Sequence, residues 1–193
     1  MSHHGDATCV LVGPPSVGKS TLLNTLTDAN SKVGSYDFTT LDVIPGMMDY
    51  KGAQIQVLDV PGLIGGAAKD KGGGKRILSV VRNSNLIILV TDVNNLNVFE
   101  DIVQELEESG IRLDKSPPDV RIKRTGQGGL KVITKYKNIG EKTIKEVADQ
   151  FGLVNAEIII KEKIHSIEEL IDGFSTSRVY VPSLKVVNKA DIK

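Results

Sequence analysis

The stretch that decides the fold lies at residues 13–20 and reads "GPPSVGKS". It fits the pattern G-x-x-x-x-G-K-[ST], follows an aliphatic run at 8–13 and opens a helical pattern at 19–26. In that order, glycines let the backbone approach an anion closely, and N–H groups at the helix start point at it. We therefore predict a phosphate-binding loop rather than a glycine turn with an accidental lysine. The predicted contacts are Gly13, Pro14, Pro15, Ser16, Val17, Gly18, Lys19, Ser20 and Thr21.

The first half of the chain alternates strand and helix patterns. Aliphatic runs at 55–60 and 86–92 are typical of strands covered on both faces of a parallel sheet, and the stretch 182–191 predicts another buried strand. The run 98–109 has helical spacing and stops at Gly110. We predict an α/β fold with a doubly wound, mostly parallel sheet and right-handed crossovers.

An insertion interrupts this pattern. The chain from Asp59 to Asn188 is about twice as long as two βαβ steps of ~30 residues each. The surplus follows Gly110, so we predict a first domain part at 1–110, an inserted α+β lobe at 111–180, and the remaining strand at 181–193.

The lobe has its own order of elements, ββαβα. Alternating runs at 119–125 and 130–137 flank "GQGG" and predict a hairpin. A helix is predicted at 141–151 and a third strand at 156–160. A second helix, at 166–174, opens with the capping box of Ser166 and Glu169.

Composition excludes several classes of protein. The 193 residues carry 24 basic and 24 acidic side chains, so no overall charge attracts the chain to DNA or a membrane. No apolar run approaches the ~20 residues of a membrane helix, and the first residues lack the apolar core of a secretory signal. The single cysteine excludes an internal disulfide and fits a reducing compartment. We predict a cytoplasmic protein without DNA or membrane partners, and the oligomeric state stays open.

A second motif, "LDVPG" at 58–62, follows an aliphatic strand. Such a strand brings a carboxylate beside the phosphate loop, where it can hold Mg²⁺ through a water. We predict Mg²⁺ near Asp59 and the hydroxyl of Ser20. We also predict that the backbone of Gly62 reaches a γ-phosphate and, with Lys19, stabilises the transition state. The predicted nucleotide contacts from this motif are Asp59, Val60, Pro61 and Gly62.

A third motif, "NKAD" at 188–191, indicates the base. The carboxylate of Asp191 accepts two hydrogen bonds from guanine N1–H and its exocyclic amine, a donor pair that adenine lacks. Asn188 would tie this loop to the phosphate loop, and the stem of Lys189 would lie over the base. The three motifs together predict GTP and GDP as ligands.

Two further positions bear on hydrolysis. A threonine in "YDFTTLD" at 36–42 would contact Mg²⁺ when the γ-phosphate is present; Thr40 is favoured and Thr39 is the alternative. Leu63 stands where a glutamine would orient the attacking water, so intrinsic hydrolysis is predicted to be slow and no catalytic side chain is assigned with certainty. The glycine-rich run 64–75 predicts a switch segment, with a plain flexible loop as the alternative.

The motifs together resemble one family. "LVGPPSVGKSTLLN", "SYDFTTLDVIPG", "DVPGLIGGA", "GIRLDKSPPD" and "VNKAD" look like the developmentally regulated GTP-binding proteins (DRG), in the Obg-related branch of translation-factor-class GTPases. The resemblance implies a P-loop NTPase G domain with an inserted lobe like the second domain of ribosomal protein S5. It also implies slow, potassium-stimulated GTP hydrolysis, ribosome association and a small stabilising partner protein.

The chain departs from the family pattern in two respects. Related potassium-dependent GTPases often carry asparagine where this loop has Ser16. In addition, the family's last guanine-contacting loop, closing strand and helix, C-terminal TGS domain and N-terminal helical segment have no counterpart here. We therefore expect a fragment of the family pattern, truncated after the N-K-x-D strand, and whether it binds and hydrolyses GTP by itself stays open.

The lobe carries a local excess of positive charge. Apolar residues at 120, 122, 130, 132 and 136 share one predicted face, and the basic residues fall on the other. Two interpretations stay open: a solvated hairpin face, or a sequence-independent contact to the phosphate backbone of ribosomal RNA. The candidate RNA contacts are Arg121, Lys123, Lys131, Lys135 and Lys137.

Three functions are consistent with these motifs to different degrees. The first is a GTPase switch acting on ribosomes, and the second is an RNA- or ribosome-binding module in which nucleotide is mainly structural. The third, a P-loop kinase or ATPase, is disfavoured because Asp191 would be left unpaired by adenine.

Overall fold

The structure is a computed structural model, and it describes residues 5–27, 43–60 and 73–192. The chain divides into two compact units, one of Met1–Lys115 with Val179–Lys193 and one of Ser116–Arg178. In chain order the elements are β1 (Ala7–Val12), α1 (Lys19–Leu26), β2 (Ile44–Tyr50), β3 (Ala53–Asp59), α2 (Gly73–Arg82), β4 (Leu86–Asp92), α3 (Val98–Glu108), β5 (Ile111–Leu113), β6 (Val120–Arg124), β7 (Leu130–Thr134), α4 (Glu141–Gln150), β8 (Ala156–Ile160), α5 (Ile167–Phe174), β9 (Val179–Val181) and β10 (Ser183–Asn188).

The main sheet of the first unit has the strand order β10-β4-β1-β3-β2. Strands β1, β3, β4 and β10 run parallel, whereas β2 is antiparallel to β3. The predicted α/β class with a mostly parallel sheet is therefore confirmed.

Strand β1 is covered on both faces. Val10 and Val12 lie in an apolar cluster with side chains of α2 and α3, while Leu11 lies in a second cluster with Leu23 of α1. Successive side chains of a strand point to opposite faces, so a run that is aliphatic at every position needs a cover on each side. This requirement puts β1 in the middle of the sheet.

Strand β10 differs from the prediction of a buried strand. It is one of the two edge strands of the sheet, pairing with β4 among the described residues, and Leu184 and Val187 are 54% and 41% exposed. Its aliphatic composition correctly indicated a strand. Composition alone does not say whether a second neighbour covers such a strand.

The short strands β5 and β9 pair in parallel. Ile111, Leu113 and Val181 are buried in the same cluster as β1 and α3. The boundaries at 111 and 180 would assign β5 and the first two residues of β9 to the lobe, whereas the compact units divide after Lys115 and Arg178. The difference arises because the apolar side chains of β5 and β9 pack into the core of the first unit.

The second unit contains β6, β7, α4, β8 and α5, in the order ββαβα. Its core consists of residues from both helices and all three strands, including Ile144, Ile158 and Leu170. Helix α5 begins as the capping pattern predicts, since Ser166 Oγ accepts a hydrogen bond from Glu169 N at 3.1 Å.

The predicted β6–β7 hairpin is wrong. Strand β8 lies between the two, antiparallel to β6 and parallel to β7. The connecting loop straddles Asn155, whose carbonyl accepts from Thr125 N at 3.0 Å and whose Oδ1 accepts from Gly129 N at 2.8 Å. The glycine-rich loop is therefore an arch that passes over the start of β8. Alternation in the sequence alone cannot distinguish such an arch from the tight turn of a hairpin.

The prediction of two faces does hold. Val120, Ile122, Leu130 and Val132 pack against the lobe core, and the intervening basic residues are exposed. We call the opposite side the outer sheet face. In register across β6, β8 and β7, its two rows are Arg121, Ile159, Ile133 and Lys123, Glu157, Lys131.

Within 5–27, 43–60 and 73–192, none of the helices has both the length and the apolar character needed to cross a bilayer.

Removing the Asn155 side chain tests the arch. Asn155→Ala leaves the Gly129 N–H without its protein partner, and we expect the free energy of unfolding to fall by about 1 kcal/mol in urea denaturation followed by circular dichroism. Gln127→Ala, which removes an exposed amide from the same loop, is the control and should be neutral. Equal losses in the two variants would contradict a specific role for Asn155.

Candidate nucleotide-binding site

The carboxyl ends of four parallel strands meet at one edge of the main sheet. Gly13 follows β1, while Asp59, Asp92 and Asn188 are the last residues of β3, β4 and β10. Ligands of open α/β sheets bind at this edge. The topology thus brings the phosphate loop, the second motif and the N-K-x-D motif together.

The phosphate loop has a backbone that most residues avoid. Ser16 has φ 64° and Gly18 has φ 93°. A Cβ at Gly13 would overlap the carbonyl oxygen of Val90, so this glycine is required by the close approach of β4. Among residues other than glycine, asparagine and aspartate tolerate the left-handed region best, so Ser16 is strained at this position.

Lys19 is held at the loop by two carbonyls. Its Nζ donates to Gly13 O at 3.0 Å and to Pro14 O at 2.9 Å, and the residue is buried. Burial lowers the pKa of the ammonium, while the nearby carboxylate of Asp59 acts in the opposite direction. The ammonium is therefore positioned by two carbonyl dipoles near a carboxylate, and an anion that enters the loop would find the charge in place.

Ser20 and Asp59 form the second polar pair. Ser20 Oγ donates to Asp59 Oδ2 at 2.9 Å, and Asp59 is buried at the end of β3. A hydroxyl that gives its proton to a carboxylate keeps its lone pairs for another partner. Hydroxyl and carboxylate oxygens are ligands that Mg²⁺ prefers, so this donor set fits the predicted ion.

The N-K-x-D motif contacts the phosphate loop directly. Asn188 Nδ2 donates to Val17 O at 2.9 Å, and Lys189 Nζ donates to Ser16 O at 2.8 Å. A Cβ at Gly18 would overlap Nδ2 of Asn188, so Gly18 also makes room for this contact. The structure therefore contains the link between the two motifs that the sequence predicts.

Sequence reasoning missed one residue of this site. Asp92 is buried, and its Oδ2 lies 3.7 Å from Lys189 Nζ. The sequence did contain a signal for Asp92, because it is an acidic residue at the end of an aliphatic strand, as Asp59 is. By contrast, the predicted base-reading Asp191 is exposed.

Comparisons with known proteins agree with this geometry. A family model described as "50S ribosome-binding GTPase" matches residues 8–123, and a second, described as the "C-terminal region of MMR_HSR1 domain", matches residues 127–193. A developmentally-regulated GTP-binding protein 2 of Homo sapiens is 41% identical over 97% of the chain and 52% of its own length. The chain belongs to the DRG family of GTP-binding proteins.

Other DRG-like relatives span a similar range. An uncharacterized GTP-binding protein of Methanocaldococcus jannaschii is 49% identical over 97% of this chain and 48% of its own length. Ribosome-interacting GTPase 1 of Saccharomyces cerevisiae is 42% identical over 99% of this chain and 53% of its own length. The chain thus spans about half the length of the curated relatives it matches.

Several predicted site residues of this DRG chain lie outside the described residues. They are Thr39, Thr40, Pro61, Gly62 and Leu63. Their predicted roles at Mg²⁺, at the γ-phosphate and in setting a slow rate remain predictions from the sequence.

Substituting Gly18 tests the link between the motifs. Gly18→Ala adds backbone strain and displaces the Asn188 amide, so we expect the free energy of unfolding to fall by about 2–3 kcal/mol. Gly128→Ala has a similar φ, 100°, with no neighbouring atom near its Cβ, and should cost only about 1 kcal/mol. Equal losses in urea denaturation would mean that the Asn188 contact contributes nothing.

Proposed function

We propose that the chain binds GTP with Mg²⁺ and hydrolyses it slowly, acting as a conformational switch on ribosomes. The observation that carries this proposal is the arrangement of Lys19 and Ser20, which begin α1, beside Asp59, which ends β3. Membership of the DRG family supports it.

The phosphate end of the proposed site depends on charge that is already positioned. The Lys19 ammonium would exchange its two carbonyl partners for phosphate oxygens without moving far. Ser20 Oγ and the Asp59 carboxylate would hold Mg²⁺, which when bound neutralises charge on the phosphates. Backbone N–H groups of the loop would hold the remaining oxygens.

The base end depends on Asp191. Its exposed carboxylate is available to accept hydrogen bonds from guanine N1–H and the exocyclic amine. Asn188 and Lys189 tie the same segment to the phosphate loop. The segment that recognises the base would therefore be hydrogen-bonded directly to the loop that binds the phosphates.

Asp191→Asn tests the nucleotide assignment. The amide donates where guanine also donates, so we expect GTP affinity to fall at least about tenfold and xanthosine triphosphate to bind in its place. Competition binding with GTP, ATP and xanthosine triphosphate measures this, with the exposed Asp149→Asn as the control. An unchanged preference for GTP would contradict the base assignment, and wild-type preference for ATP would contradict the proposed function.

Slow hydrolysis and its activation are proposed from the sequence. Leu63 carries no group that orients water, so a partner or monovalent ion would supply this function. Potassium stimulation is part of the proposal, with Ser16 as the candidate contact. The proposed switch segments are 36–42 and 60–75, with Thr40 and the backbone of Gly62 reading the γ-phosphate.

Ribosome association has two lines of support. One relative carries the name ribosome-interacting GTPase 1. The lobe also has Lys123, Lys131, Lys135 and Lys137 exposed on or beside its outer sheet face. The face is less basic than the sequence suggests, because Glu157 lies between Lys123 and Lys131. We propose that these lysines and Arg121 contact the phosphate backbone of ribosomal RNA.

Two other lysines of the basic segment lie elsewhere. Lys142 and Lys145 belong to α4, whose apolar side packs into the lobe core. They pair with Glu146 and Glu141 at 3.9 and 2.8 Å. They do not contribute to the outer sheet face and provide a matched control for it.

Charge reversal tests the RNA contact. Replacing Lys131, Lys135 and Lys137 by Glu should weaken co-sedimentation with purified ribosomes at least tenfold and reduce its salt dependence by about two to three in log–log slope. The control replaces Lys142, Lys145 and Lys163, an exposed residue that follows β8, by Glu, with the same change in net charge. Equal losses of ribosome co-sedimentation in the two triple variants would indicate that only net charge matters. No loss on reversal of Lys131, Lys135 and Lys137 would indicate that the outer sheet face is only solvated.

The second candidate function is an RNA- or ribosome-binding module with a structural nucleotide, and the basic lobe is the observation that favours it. Single-turnover GTP hydrolysis with and without potassium and ribosomes separates the two. The switch predicts stimulation and the module predicts none. A small stabilising partner protein, proposed from the DRG resemblance, would be present in both cases.

A further inference from the structure

Asp92 is a buried carboxylate at the edge of the sheet where the three motifs meet. It ends β4, between β1 and β10, and is 7% exposed. Its Oδ1 accepts from Asn94 N and from Asn95 Nδ2, both at 3.0 Å. One carboxylate oxygen therefore closes the turn that leads to α3.

The other oxygen faces a cation. Asp92 Oδ2 lies 3.7 Å from Lys189 Nζ, and the side chains are 10% and 37% exposed respectively. The same Nζ donates to Ser16 O at 2.8 Å. An ion pair partly withdrawn from water is stronger than one on the open surface. The ammonium thus lies between a fixed carboxylate and a carbonyl of the phosphate loop.

The Lys189–Ser16 bond joins two unusual backbone positions. Ser16 has φ 64° and Lys189 has φ 57°, a region that residues other than glycine seldom adopt. Such conformations persist where surrounding contacts hold them. This bond restrains both residues, and the carboxylate of Asp92 restrains the ammonium that makes it.

We propose that Asp92 is a positioning residue that holds the Lys189 ammonium on the Ser16 carbonyl and so couples the base-reading end of β10 to the phosphate loop. The inference rests on the proposed function, because the coupled segments are the predicted contacts of guanine and phosphate. It adds a fourth strand end to the site, since the three sequence motifs lie at the ends of β1, β3 and β10 and contain no residue of β4.

The two oxygens of Asp92 allow its two roles to be separated. In Asp92→Asn, Oδ1 can still accept from Asn94 and Asn95, so the turn keeps its hydrogen bonds. The amide that replaces Oδ2 carries no charge and donates rather than accepts. The substitution therefore removes the contact with Lys189 selectively.

The experiment is a double-mutant cycle on GDP affinity in the full chain. It compares the wild type with Asp92→Asn, Lys189→Met and the double variant; methionine keeps most of the aliphatic stem. We expect each single variant to bind GDP about tenfold more weakly, and the double variant to be no weaker than one single variant within about twofold. Exposed Asp101→Asn is the control and should bind as the wild type does.

Two readouts distinguish positioning from a general loss of structure. The rise in KM for GTP should exceed any fall in kcat in Asp92→Asn. In the nucleotide-free chain, the amide protons of residues 16–18 should exchange at least several-fold faster than in the wild type or Asp101→Asn.

The outcomes separate this inference from the proposed function. Additive losses in the cycle, or unchanged GDP affinity in Asp92→Asn, would overturn the positioning role while leaving GTP binding intact. A wild-type chain that binds no guanine nucleotide would overturn the proposed function instead. Even then, hydrogen exchange in the nucleotide-free chain tests the inference. Equal exchange rates for the amide protons of residues 16–18 in the wild type and Asp92→Asn would show that Asp92 does not restrain the loop.

Discussion

Burial of β1 on both faces is the constraint on which the main sheet and its site depend. Val10, Leu11 and Val12 are fully buried, because helices cover both faces of the sheet at this central strand. Placing β1 between β3 and β4 brings the ends of those strands beside the loop that follows β1. The burial of the apolar side chains of β1 thus determines where the polar groups of the site lie.

The phosphate loop shows how strain and polarity are held in place together. Its left-handed residues Ser16 and Gly18 lie against the N-K-x-D segment, which donates to the carbonyls of Ser16 and Val17. Lys19 is oriented inside the loop by two further carbonyls. The loop is therefore preorganised by residues more than 160 positions away in the chain, and an incoming anion would find its donors already aligned.

The lobe illustrates a limit of alternating patterns. Alternation correctly predicted which side chains of β6 and β7 face the core, because period-two spacing determines faces directly. It did not identify the strand partners, since β8 inserts between β6 and β7 and Asn155 joins it to both ends of the loop. The inserted strand also brings Glu157 into the basic surface, which is therefore mixed rather than uniformly positive.

The sequence by itself determined the α/β class, the phosphate loop, the carboxylate at Asp59, the N-K-x-D motif and the DRG resemblance, because each depends on residue types at short, fixed spacings. Only the tertiary structure decided that β10 is an edge strand, that β5 and β9 pack with the first unit, and that β8 separates β6 from β7. It alone also brought Asp92 to Lys189. These features depend on which distant segments become neighbours, and local spacing carries no information about that choice.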